Sequence, residues 1–176
     1  DFERYVGYCY EQKGYSVDYF GIDMKLEDLG RDLVVTNDDE ILIVQCKYWS
    51  INKIIHEKHI AQLFGTTKKY ELEYSGNKKI NCIFITHTQI SEEAKNFCEA
   101  LNVRYRENVE IGDFPIIKCH NSKDEYGNPT KIYHLPMDQQ YDKTKIDKRK
   151  GDFYAATIEE AEQRGLRRAY KWHPYN

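Results

Sequence analysis

Apolar residues recur at helical spacing from the first residues onward. Phe2, Tyr5, Val6, Cys9 and Tyr10 fall on one stripe, and Gly14 supplies a stop. Residues 15–20 read as a short strand, followed by a polar loop that runs to Gly30. Residues 31–36 and 40–47 are rich in Val, Ile and Leu, and Asn37-Asp38-Asp39 between them is turn chemistry, so a hairpin is expected. From about residue 56 to residue 74, Ile60, Leu63, Phe64, Thr67 and Tyr70 predict a second amphipathic helix, weakened in its middle by Gly65 and two threonines. Residues 80–86 form a short apolar strand, expected at the centre of a sheet. Ser91 is placed to cap a third helix with Ala94, Phe97, Cys98 and Leu101 on one face, and residues 103–106 are a candidate strand after it. Helix, three strands, helix, strand, helix, strand implies an α/β fold with a mixed sheet between helices.

Beyond about residue 108 the pattern changes. Residues 122–130 are turn-rich, 131–135 a short strand, and 138–150 polar and irregular. Thr157-Ile158-Glu159-Glu160 is a capping-box pattern that opens a short helix, with Gly165-Leu166 at its stop. The expected division is a first domain over residues 1–118 and a small α+β module over residues 119–176.

Composition narrows the classes. With 40% hydrophobic and 31% charged residues the chain is globular rather than disordered. No apolar run approaches the roughly 18–20 residues that cross a bilayer, and the start does not resemble a signal peptide, so a cytoplasmic protein is expected. The five cysteines form no C-x-x-C pair, and four sit in apolar periodic segments as small hydrophobes. A zinc site from Cys119, His120 and His134 is conceivable. Net charge is −3, but residues 1–117 hold 14 Lys/Arg against 20 Asp/Glu while residues 118–176 hold 12 against 9. Nucleic-acid binding would therefore depend on a local basic surface and on bound cations.

The hairpin carries the candidate chemistry. A two-residue turn at Asp38-Asp39 makes Asn37 face Glu40, and continuing that register sets Asp32 opposite Gln45. Lys47, two residues further, turns to the same face as Gln45. A carboxylate, an amide and an amine thus converge at one end of an apolar ribbon, where unpartnered burial would cost several kcal/mol. A divalent cation on Asp32 converts that liability into a site; an Asp–Lys pair at a solvated strand end is the structural alternative.

Residues 2–14, then Leu29-Gly30-Arg31-Asp32-Leu33, then Ile41-Leu42-Ile43-Val44-Gln45-Cys46-Lys47-Tyr48-Trp49, resemble the Mrr-type restriction endonuclease catalytic domain of the PD-(D/E)xK superfamily, in its QxK variant. Thr86 and the Glu93-Ala94-Lys95 helix are similar as well, and the likeness covers roughly residues 1–107. The resemblance implies an αβββαβ nuclease core, a magnesium requirement with manganese able to substitute, and cleavage of double-stranded DNA. By position, it makes Asp32, Gln45 and Lys47 catalytic. Asp32 would hold the metal with the Cys46 carbonyl, Gln45 would ligate it through its amide oxygen or orient a metal-bound water, and Lys47 would hold the attacking water and stabilise charge on the scissile phosphate. Glu3 is a further candidate carboxylate; a solvated acid favoured by the helix dipole is the other reading.

Tyr48, Trp49, Lys53, Lys58 and Gln62 follow the site and are candidates to line a DNA path, with His56 and His59 among them; packing of Trp49 and solvation of the lysines is the alternative. The segments around Tyr126-Gly127-Asn128 and Gly165-Leu166-Arg167-Arg168 resemble a small module appended to some bacterial nucleases, and Lys148-Arg149-Lys150 and Arg167-Arg168 are candidate phosphate contacts. The expectation is a magnesium-dependent endodeoxyribonuclease of restriction type, with double-strand cleavage suggesting a homodimer or two successive binding events. A structure-selective repair nuclease of the junction-resolving kind, and a non-cleaving DNA-binding or sensor module, remain open.

Overall fold

In the computed structural model, which describes residues 1–20, 30–124 and 126–169, the elements run α1 (Phe2–Gln12), β1 (Ser16–Tyr19), β2 (Leu33–Thr36), β3 (Glu40–Lys47), β4 (Ile54–Ile55), α2 (Glu57–Glu73), β5 (Lys79–Thr86), β6 (Gln89–Ile90), α3 (Glu92–Leu101) and β7 (Arg104–Arg106). There follow β8 (Ile117–Lys123), β9 (Pro129–His134), a 3-10 turn (Lys148–Lys150), β10 (Phe153–Ala155), α4 (Ile158–Gln163) and β11 (Arg167–Arg168).

The first sheet has the order β1-β2-β3-β5-β7. Its first three strands are antiparallel, β2 and β3 joined by a tight turn, whereas β3, β5 and β7 are parallel and joined through α2 and α3. Central β3 is apolar on both faces because both are covered. Leu42, Val44 and Cys46 pack with Phe2 and Val6 of α1, while Ile41 and Ile43 pack with Ile60 and Leu63 of α2. Each such large side chain contributes about 1.5–3 kcal/mol on burial. Ser91 caps α3 by accepting from the Ala94 N–H at 3.1 Å, as its position predicts. The mixed sheet between helices agrees with the fold class expected from the pattern.

The second sheet has the order β10-β8-β9-β11, with α4 packed on β8 through Ala161 against Ile117 and Cys119. Its opposite side meets α1 and β1. Arg4 bridges to Asp142 at 2.8 Å, and the Tyr154 hydroxyl donates to Glu11. All five cysteines are free. Among the described residues no helix is long and apolar enough to cross a membrane.

Candidate active site

The hairpin register is the one its turn dictates. Asn37 N–H donates to the Glu40 carbonyl at 3.1 Å, and Asn37 Oδ1 accepts from the Asp39 and Glu40 N–H groups at 2.9 and 2.8 Å. Pairing then runs from Thr36–Ile41 to Leu33–Val44. There it changes. Asp32 N–H also donates to the Val44 carbonyl, at 2.9 Å, so two consecutive residues face one and the strand bulges. The expectation that Asp32 lies directly across from Gln45 is corrected by this bulge. An unbroken ladder would set Cys46 against Arg31; instead, the Cys46 N–H donates to Asp32 Oδ2 at 2.6 Å. A charge-assisted bond to the side chain replaces a ladder bond to the backbone and fixes the carboxylate at the strand end. Asp32 is buried there.

Gln45 and Lys47 share the face of Ile41 and Ile43, toward α2, by the alternation of β3. Gln45 is 1% exposed, and its Oε1 is buried without a hydrogen-bond partner. Such an atom costs roughly 1–3 kcal/mol unless something else binds it. The amide nitrogen lies close to Gly30, as does the Gln62 carboxamide from α2. Lys47 is half-buried at the rim.

Three charged groups meet around Cys46. Burial pushes its thiol well above the ordinary 9.0; Asp32 and Glu3 add to the shift, and Lys47 opposes it. Glu3 lines a cleft with Phe2, Cys46 and Tyr48, on the α1 side of the sheet. Asp32 and Cys46 therefore stand between Glu3 on one face and Gln45 with Lys47 on the other.

The remaining candidates surround the rim. Tyr48 is 53% exposed, its ring 4.5 Å from that of His87 and 5.2 Å from that of Phe2. Trp49 is half-buried, edge-on to His59 at 5.1 Å, with the Lys53 ammonium 5.5 Å over its ring. Lys58 and Gln62 are exposed on the first turns of α2. The His59 imidazole is held below its ordinary 6.5 by burial first, then by Lys58 and Lys47, so it stays neutral near pH 7. Sequence reading missed His87 and Thr88, which bond to the strand end and loop that carry Lys47. The Thr-His-Thr run closing an apolar strand was the available signal.

Among the described residues, no three His, Cys, Asp or Glu side chains gather as a metal centre. The donors at the end of β3 are of another kind: one carboxylate, one amide oxygen and a main-chain carbonyl. That all-oxygen set suits magnesium, which keeps several waters and borrows phosphate oxygens. The unpartnered Gln45 oxygen fits it. A zinc site from Cys119, His120 and His134 does not form. Cys119 packs with Ile117 and Ala161, while the two imidazoles lie on the other face of β8 and β9, 6.1 Å apart.

Among solved structures, the chain is similar to a repair endonuclease from Pyrococcus abyssi at 16% identity and a TM-score of 0.45, over 61% of this chain and 44% of that one. EndoMS in its apo form matches at 14% identity and a TM-score of 0.43, over 64% and 48%. The MspJI restriction endonuclease in complex with a 27-mer oligonucleotide matches at 10% and 0.42, over 60% and 24%. The matched region spans less than half the length of each. No curated protein gives a significant match. The family model for the Mrr catalytic domain, described as restriction endonuclease, matches residues 1–112, and the chain belongs to that family.

Proposed function

We propose that the chain is a magnesium-dependent endodeoxyribonuclease whose site is the end of β3, with Asp32, Gln45 and Lys47 as its working side chains. The observation that carries this reading is the buried, unpartnered Oε1 of Gln45, one residue from the N–H that holds the Asp32 carboxylate. A buried acceptor left open beside a buried carboxylate is costly for a purely structural strand end and useful for holding a cation.

Asp32, Gln45 Oε1 and the Cys46 carbonyl would hold the ion, with Glu3 adding negative charge from the α1 face of the sheet. When bound, a divalent cation stabilises phosphate charge as a Lewis acid and makes water more acidic. Lys47, fixed at the rim by the ladder to β5, orients the attacking water and offsets charge that builds on the scissile phosphate. Tyr48, Trp49, Lys53, Lys58 and Gln62 present the duplex, the cations on phosphates and the helix residues toward a groove. In this reading residues 1–118 carry the chemistry and 119–176 are an appended module. One site cuts one strand, so double-strand cleavage calls for two copies of the chain or two successive binding events.

The test is plasmid cleavage with and without magnesium. The wild-type chain is expected to cut only with the ion, and Lys47→Ala to lose cleavage by at least about 100-fold while keeping its fold and DNA affinity. Cleavage by Lys47→Ala at the wild-type rate would falsify the assignment. Methylated plasmid, plain plasmid and a four-way junction, compared as substrates, separate restriction from repair.

A further inference from the structure

Thr86 and Thr88 are both fully buried at the end of β5, and each hydroxyl is committed to a main-chain carbonyl on the neighbouring element. Thr86 Oγ1 donates to the Lys47 carbonyl at 3.0 Å and accepts from the Thr88 N–H at 3.2 Å. The His87 N–H gives the same Lys47 carbonyl a second bond, at 3.1 Å. Thr88 Oγ1 donates to the Lys53 carbonyl and lies 3.4 Å from that of Ile51. Two hydroxyls, two residues apart, thus grip two consecutive pieces of chain: the strand end that carries Lys47, and the 48–53 loop that carries Tyr48, Trp49 and Lys53. Neither threonine reaches solvent, so neither touches substrate.

We propose that Thr86 and Thr88 are positioning residues with separable tasks: Thr86 fixes the backbone of Lys47 for the chemical step, and Thr88 fixes the 48–53 loop for holding DNA. This rests on Lys47 acting in the nuclease site. A carbonyl anchored by two donors cannot tilt without losing one, and displacement of a reacting group by about 1 Å costs on the order of 100-fold in rate. A loop held by one buried hydroxyl shifts binding instead, because its aromatic and basic side chains contact substrate in ground and transition state alike.

The experiment is steady-state cleavage of a DNA duplex by the full chain with magnesium, with thermal unfolding measured in parallel. Thr86→Val keeps the shape and removes the donor. It is expected to lower kcat about 10- to 100-fold with KM near wild type, and Thr86→Ser to restore kcat to within about threefold. Thr88→Val is expected to raise KM about 3- to 10-fold with kcat near wild type, and Thr88→Ser to restore it. Should a valine variant not fold, Thr86→Cys and Thr88→Cys, which offer only a weak donor, give the same comparison. The inference is overturned if Thr86→Val leaves kcat unchanged, if the serine variants fail to rescue, or if both sites lower kcat and unfolding temperature together. It is overturned too if neither the valine nor the cysteine variants fold, since the hydroxyls would then be structural. Lys47→Ala runs alongside. Full activity there removes the nuclease assignment itself, whereas an inactive Lys47→Ala beside an unaffected Thr86→Val removes only this inference.

Discussion

A methyl group at position 30 would sit 2.8 Å from Gln62 Nε2 and 3.0 Å from Gln45 Nε2, and the backbone there has φ +84°. Both facts point the same way. The left-handed conformation costs an L-residue roughly 1–2 kcal/mol, and the carboxamides could keep their places only by moving away from the added carbon. Gln62, exposed on α2, can swing clear, but Gln45 is enclosed and holds the site's open oxygen. Gly30→Ala is therefore expected to lower stability by about 1–2 kcal/mol in urea denaturation and to cut cleavage far more than that loss explains. Pairing it with Gln62→Ala, which empties one of the two crowded volumes, should recover part of the activity but not the backbone cost. Equal activity of Gly30→Ala and wild type would show that Gln45 need not stand where it does.

At the scale of elements, the β8–β9 hairpin brings a titration into the second sheet. Burial lowers the His134 imidazole from its ordinary 6.5, and His120 and Lys118 lower it further against the pull of Asp138. His120 is lowered by burial and Lys150, with Asp152 opposing. Groups with depressed folded values take up protons more readily in the unfolded chain. The unfolded state thus binds the extra protons below about pH 6.5, and stability falls as pH drops through that value toward 5. The urea midpoint is expected to be lower at pH 5 than at pH 7, and the decline to be shallower in a His120→Gln, His134→Gln double variant. An identical pH slope in both proteins would assign the decline to carboxylates. None of this was visible in the sequence, where the histidines read only as conceivable metal ligands. The reason is physical. The β2–β3 hairpin, α1, α2 and α3 declare themselves through local periodicity and turn or cap residues, so they were legible with the register of the hairpin. Strand β8 ends in His120-Asn121-Ser122-Lys123, with no apolar alternation, and exists because β9 and β10 pair with it. Two-residue β4 and β6 pair residues 35 positions apart in sequence and leave no local pattern. The bulge at Asp32 was equally hidden, because a side chain took over a bond that the ladder register assigned to backbone. Residue types at the site could be read ahead of the structure; the route by which Asp32 reaches Cys46 could not.

The whole molecule is held across its two sheets by charges that neither half could bury alone. Glu11 of α1 and Lys118 of β8 are 2% and 1% exposed. Glu11 accepts from the Tyr154 hydroxyl; Lys118 donates to the Thr144 carbonyl at 2.8 Å and lies 4.9 Å over the rings of Tyr19 and Tyr141. Burial pushes the Glu11 carboxyl up and the Lys118 amine down, and each charge offsets part of the other's shift. Removing one partner leaves the other ionised in a dry contact, which typically costs about 3–5 kcal/mol, whereas replacing both with apolar residues of similar size is often neutral. Lys118→Met and Glu11→Leu are each expected to lower the free energy of unfolding by a few kcal/mol, and the double variant to return most of it, as a double-mutant cycle in urea would record. Because α1 also carries Glu3 at its other end, the single variants should weaken cleavage below the temperature at which they unfold, by loosening the helix against the β3 strand end. Additive losses in the cycle would mean that the two charges are stabilised separately, and that the C-terminal sheet packs on α1 without helping to hold it.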